Sequence, residues 1–308
     1  MPSSLRASLL LAALLGAGCS APVADDVADA NGGMTEGVLV VESVVSGDGA
    51  PLTNVSAKFM HLSGSANSEL AERVIGARLD LPAFDECIAV LPGVSAPAAS
   101  LAALGQIELL VVGDVTLRTG SSSMPLAARA FADVGDLVSG VFYTSRDAES
   151  DLPAGATYVL ESTGSAMVDR FTVEATAPAA LQDVRVGEAA LLEGVALEAG
   201  VAATIRWKAP GSDGAAQRGD LVLVEVSADG AATARCAFAD DGEAVVPASA
   251  LRFEASGTAP DAARLPRSAT VSVRRIRQRA FGVSGFDTGE VRFDLAVVGR
   301  ATVNPRAL

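Results

Sequence analysis

From Gly37 onward, short apolar runs alternate with clusters of Gly, Pro, Ser and Asp, and within the runs apolar residues recur at every second position. Val55, Ala57, Phe59 and His61 fall on one face of a predicted strand, and Phe171-Thr-Val-Glu-Ala175 alternates in the same way. The run Ile107-Glu-Leu-Leu-Val-Val112 reads as a short, strongly apolar strand. In the second half Ala203, Ile205 and Trp207 point one way, and Thr204, Arg206 and Lys208 the other. Leu221 to Ala228 and Ala231 to Phe238 flank Asp229-Gly230, a strong hairpin signal, with Ala232, Ala234, Cys236 and Phe238 on one face. Val291, Phe293, Leu295 and Val297 alternate with Glu290, Arg292, Asp294 and Ala296, which predicts one packed face and one wet face. Helical stretches are few: a turn or two over 68–73, another over 97–104, and a single turn over 247–251.

These patterns predict an all-β protein built from two tandem β-sandwich domains, immunoglobulin-like or similar. Ala177-Pro178-Ala179-Ala180 is the linker candidate, dividing the chain into 37–178 and 179–304. No fixed-period repeat is present, which excludes a propeller or solenoid.

The N-terminus has a different pattern. Arg6 precedes a leucine-rich apolar run from Ala7 to Ala17, too short for a membrane span of roughly 20 residues but right for a signal peptide. The run ends in Leu15-Gly16-Ala17-Gly18-Cys19-Ser20. This segment resembles the lipobox of bacterial lipoproteins. The resemblance implies that residues 1–18 are removed and that Cys19 becomes the lipidated mature N-terminus. It also implies a place in the bacterial cell envelope, and Ser20 after the cysteine points to the outer membrane. Residues 19–36 then read as a tether of small and acidic residues with no period, reaching about 20–25 Å as a random coil.

Charge narrows the partners. A formal net charge of −14 excludes a nucleic-acid surface, which needs a basic patch. Of the 23 basic residues only Lys58 and Lys208 are lysine. Half the chain is apolar, so each half can build its own core.

A search for reactive constellations finds few. His61 is the only histidine, which excludes zinc sites needing two or more, and it reads as a partly buried structural residue. There is no G-x-S-x-G elbow, no phosphate-binding loop and no G-x-G-x-x-G. The chain therefore calls for no nucleotide, metal or other cofactor, and no catalytic residue is assigned. Cys87 and Cys236 are expected as two separate buried thiols, because a bridge needs their Cα atoms within about 7 Å across the domain boundary; an oxidising periplasm leaves a disulfide as the alternative. Asp240-Asp241-Gly242-Glu243 lacks the spacing of a calcium loop and reads as a solvated turn. Arg218-Gly219-Asp220 reads as the opening of a strand. Arg275, Arg277 and Arg279 share one strand face, with Arg274 opposite. They are the candidate anion site, set against an exposed strand whose arginines balance nearby carboxylates and discourage edge pairing.

The expected function is that of a non-enzymatic, lipid-anchored envelope protein with binding, adhesion or spacer domains and a protein or glycan partner. The alternatives are a subunit of a secretion or appendage complex, and a hydrolase acting on polysaccharide or peptide. Trp207, Tyr143 and Tyr158 are the only tryptophan and tyrosines that could serve such a hydrolase as sugar-binding platforms.

Overall fold

The computed structural model describes residues 33–305, apart from 48–50, 64–67, 91–105, 121, 133–136, 146–151, 211–219, 230 and 254–264. The predicted signal peptide, Cys19, most of the tether and the 97–104 helix lie outside the described residues, as do Arg218 and Gly219. The fold is all-β, with sandwich-like packing of sheets.

One long layer carries the architecture. Its strands run in the order β3 (Cys87–Val90), β15 (Thr233–Ala239), β14 (Asp220–Ala228), β17 (Arg267–Ala280), β18 (Thr288–Asn304), β1 (Met34–Ser46) and β2 (Leu52–Leu62). The sheet continues through β4 (Ile107–Leu109) and β7 (Val138–Thr144). There it turns a corner through β6 (Ser122–Ala130): residues 127–130 pair with β7, while 122–126 pair with β5 (Val115–Thr119). Pro125 sits close to this handover, as befits a residue that has no N–H for a regular ladder. β5, β8 (Thr157–Ser162) and β9 (Phe171–Thr176) then form a second layer.

That second layer packs on β1, β2 and β18. Leu39, Val41, Ala57, Phe59, Val291 and Phe293 meet Leu117, Leu160, Phe171 and Val173 in one core. Phe59 stands edge-on to Phe171, with ring centroids 5.3 Å apart. A separate four-stranded sheet covers the other end of the long layer, in the order β11 (Ala189–Ala190), β10 (Arg185–Val186), β13 (Ala203–Arg206) and β16 (Glu243–Val246). Its Val186, Ile205 and Val246 pack with Val222, Val224, Val271 and Val273 of β14 and β17. β12 (Val195–Glu198) joins by pairing in parallel with the end of β18. Gly299 of β18 is needed there, because a Cβ would lie 2.2 Å from the Leu191 carbonyl oxygen.

Residues two apart on a strand share a face. Val291 and Phe293 belong to the first core, and Val297, Ala301 and Val303 to the second. A single strand therefore floors both cores with the same face. The expected 178/179 boundary falls between β9 and β10, but strands from either side of it pair. β1 pairs in parallel with β18 over Glu36–Ser46, and β3 pairs with β15.

The second crossing pair corrects the expectation of two separate thiols. Cys87 stands directly opposite Cys236, their Cα atoms are 4.1 Å apart, and the two form a disulfide. Residues 87–90 belong to the sheet of the second half, and the alternation pattern carries no sign of that long-range pairing.

The opposite face of the long layer is not wet, as the pattern around Val291 to Val297 had predicted. The short helix α1 (Ser68–Val74) and the segment after it lie across it. α1 carries Glu69 in its first turn and Arg73 in its last, which suits the helix dipole. Gly76, at φ +68°, supplies the left-handed residue that turns the chain out of it. Ala71, Ile75 and Ala77 pack on Val38, Val40, Met60 and Leu62, and Leu79 and Leu81 pack on Leu221, Leu223 and Ile276. Asp294 is consequently buried and paired with Arg274, which also binds Glu225; Glu225 in turn holds Arg235. Burial alone would raise the Glu225 carboxyl, but the two arginines outweigh it and hold its pKa below the usual value.

Candidate functional site

The arginine cluster lies in the interior. On β17, Ala269, Val271 and Val273 face the second core, and Arg275, Arg277 and Arg279 continue that same face toward the first. They fill the seam between the two cores. Arg275 is only 1% exposed. Its Nη2 donates to Asp240 Oδ1 at 2.8 Å, and its Nε lies 2.6 Å from Asp240 Oδ2 in an ionic contact that lacks hydrogen-bond alignment. Nη1 donates to the carbonyls of Ala179 and Ala180, at 2.9 and 3.1 Å, and Nη2 also donates to the Lys208 carbonyl. Arg277 makes a two-pronged pair with Asp220, at 2.8 and 2.6 Å, and donates to the Thr176 carbonyl. Arg279 approaches Asp220 Oδ1 at 3.5 Å.

These partners correct three expectations. The face is buried rather than exposed, because β17 is a central strand covered by the 176–180 connection. The positions an external anion would take on Arg275 and Arg277 are occupied by Asp240, Asp220 and the carbonyls of the linker. Asp240 is not part of a solvated turn: its Oδ1 also accepts the Trp207 indole N–H at 2.7 Å. The neighbouring Glu243 does reach solvent, where it pairs with Arg206.

The other singled-out side chains are structural as well. Trp207, Tyr143 and Tyr158 are buried. The Tyr143 hydroxyl accepts from the Val112 amide at 2.9 Å, and the Tyr158 hydroxyl donates to the Pro153 carbonyl at 3.0 Å. His61 is half-buried on β2, with its Nδ1 3.3 Å from the Thr35 hydroxyl.

A cleft on the covered face of the long layer has more open chemistry. It measures about 420 Å³ and is floored by β1, β2, β7 and β18. Lys58, Arg129 and Arg292 bring positive charge to it, and Glu42 is the carboxylate among its described lining residues; Val40 and Phe142 supply apolar wall. Lys58 Nζ donates to the Ile75 carbonyl at 2.8 Å and forms no ion pair among the described residues. Burial, reinforced by the charge of Arg292, pushes the Lys58 pKa down, and Glu42 only partly offsets this. Arg292 donates to the Ala77 carbonyl at 2.6 Å and has Glu290 no nearer than 3.6 Å, and its buried Nε has no hydrogen-bond partner among the described residues. Glu42 accepts from Asn54 Nδ2 at 3.0 Å.

Sequence reasoning missed this cleft. Asn54, Ser56 and Lys58 are a polar alternation on β2 opposite Val55, Ala57 and Phe59, and that alternation reads as an ordinary wet face. The scarcity of lysine was the available signal, because it makes a half-buried Lys58 stand out.

Beside the cleft, α1 itself carries a carboxyl group of raised proton affinity. Glu72 is pushed up to about 7 by burial, by its hydrogen bond to Glu36 and by the charges of Glu36 and Glu290, against a smaller pull from Arg78. Glu36 itself is buried and accepts from the Ser68 hydroxyl at 2.6 Å.

No protein-family model matches the chain, and no curated protein matches it. Among solved structures, the FN1–FN3 domains of chicken CNTN1 align at 11% identity and a TM-score of 0.22, over 72% of this chain. The alignment spans 62% of that chain's length.

Proposed function

We propose that the protein is a non-enzymatic envelope lipoprotein, anchored by lipid at Cys19, with a body of β-sandwich layers held off the outer membrane by the 19–36 tether and serving as a binding, adhesion or spacer module. The observation that supports this reading is the Cys87–Cys236 disulfide, which ties residues 149 apart in sequence. Disulfides of this kind persist in oxidising compartments such as the periplasm or the cell surface and are rare in the cytosol. They fit a chain whose N-terminus resembles a lipoprotein signal. The layer that runs from β3 to β2 without a break gives such a module a stiff body. The hydrolase alternative loses its aromatic platforms, since Trp207, Tyr143 and Tyr158 all point inward.

The test is metabolic labelling with a palmitate analogue, comparing wild type with Cys19→Ala, followed by membrane fractionation. Label on the wild type alone, with release of the variant into the soluble fraction, is the expected result. Equal absence of label in both overturns the anchor.

A further inference from the structure

We infer that the cleft between Lys58, Arg129 and Arg292 is a binding site for a small organic oxyanion, a carboxylate or phosphate group carried on a short, partly apolar body. The inference stands on the cleft alone and does not depend on the anchor.

Charge is the first argument. The chain as a whole is strongly acidic, yet among the described residues that line this cleft Lys58, Arg129 and Arg292 are cations and Glu42 is the carboxylate, and the open site rests on Lys58 and Arg292. Buried charges are ordinarily paired. The same molecule shows what pairing looks like at Arg275 and Arg277, where a carboxylate sits within 2.8 Å of each guanidinium. Here, among the described residues, Lys58 has only a carbonyl, and Arg292, 7% exposed, has a carbonyl and a distant Glu290. An ammonium has three donors, so Lys58 keeps two after its bond to Ile75.

Shape and lining are the second argument. A volume of about 420 Å³ falls in the range of small-molecule sites, and such sites combine apolar wall with a few polar groups. Val40 and Phe142 provide the wall, and Asn54 and Ser56 provide polar lining. Glu42 lies in the same cleft and repels further negative charge, which favours a ligand with one anionic group over a polyanion. A nucleic acid is disfavoured for the same reason and by the acidity of the whole chain.

The test is calorimetric titration of the full chain in detergent micelles with benzoate, phenyl phosphate and the neutral isostere benzamide. Binding of benzoate or phenyl phosphate, with benzamide failing to bind, is expected, and the stronger of the two anions identifies the headgroup. Lys58→Met and Arg129→Met should each weaken that binding by roughly tenfold or more, as loss of a close charge pair does. Lys58→Arg keeps the charge and should bind within a few-fold of wild type. Arg118→Met, which removes a cation paired with Glu161 on the other layer, should leave binding unchanged. The inference is overturned if neither anion binds, if benzamide binds as well as benzoate, or if folded Lys58→Met and Arg129→Met proteins bind as the wild type does.

Discussion

Two places in this acidic protein take positive charge out of water, and they do it differently. In the seam, Arg275 and Arg277 are matched by Asp240, Asp220 and a run of backbone carbonyls. In the cleft, Lys58 and Arg292 rest mainly on the carbonyls of Ile75 and Ala77. The seam is closed chemistry: each guanidinium fastens β17 to the connection that links the two halves. The cleft is open chemistry, with donors left over. Burial alone therefore does not separate a structural cation from a binding one; the count of acceptors around it does.

The seam should show the largest effect on stability. Arg275→Met leaves the Asp240 carboxylate buried with the Trp207 indole as its only side-chain donor among the described residues. Removing one partner of a buried pair costs roughly 3–5 kcal/mol. Chemical denaturation should report a loss of that size. Adding Asp240→Leu should recover only part of it, because the carbonyls of Ala179, Ala180 and Lys208 still lose their donor. Full recovery would reduce the seam to a simple ion pair.

The disulfide comes next. Cys236→Ala frees a loop of 149 residues, and removing a native bridge of this kind costs about 2–5 kcal/mol. Denaturation with and without reductant should lower the wild type to the level of the variant. No change on reduction would mean that β3 is held by its ladder alone.

These two features also mark the limit of what could be read from the sequence. Period-two alternation located β2, β9, β13 and the β14–β15 hairpin, because each reports a local, half-buried face. It misjudged Arg292 and Asp294 because the cover comes from residues 68–81, far away in sequence. It left Cys87 and Cys236 apart because strand pairing across 149 residues has no local signature. The arginines were grouped correctly on one face, but a face of alternating Arg looks the same whether water or Asp220 and Asp240 stand opposite. Polar positions opposite an apolar face, such as Lys58, carry the same ambiguity.

A smaller, pH-dependent effect should come from the carboxyl beside the cleft. Glu72 holds its proton up to about 7 in the fold, above its ordinary value. The folded state then binds more protons than the unfolded state between the two values, so stability falls as pH rises through that window. Below it the penalty is absent, and above about 7 it is complete. Glu72→Gln should flatten this slope and stabilise the protein at pH 8 by about 1 kcal/mol, after allowing for solvent screening of a partly exposed group. Thermal unfolding scans across the range would show it, and parallel slopes for variant and wild type would place the titration elsewhere.

The smallest effect on stability should come from Lys58, and that is what sharpens the comparison with the seam. Its pKa is lowered in the fold, so the fold disfavours its charged form at neutral pH, and stability rises only as pH climbs through the lowered value. Lys58→Met removes that penalty together with the bond to the Ile75 carbonyl. The two changes oppose each other and should leave stability within about 1 kcal/mol of wild type. Arg275→Met, also a cation replaced by an apolar chain, should cost several times more. A loss at Lys58 as large as that at Arg275 would make the cleft a second seam, its cation held for the fold rather than for a ligand.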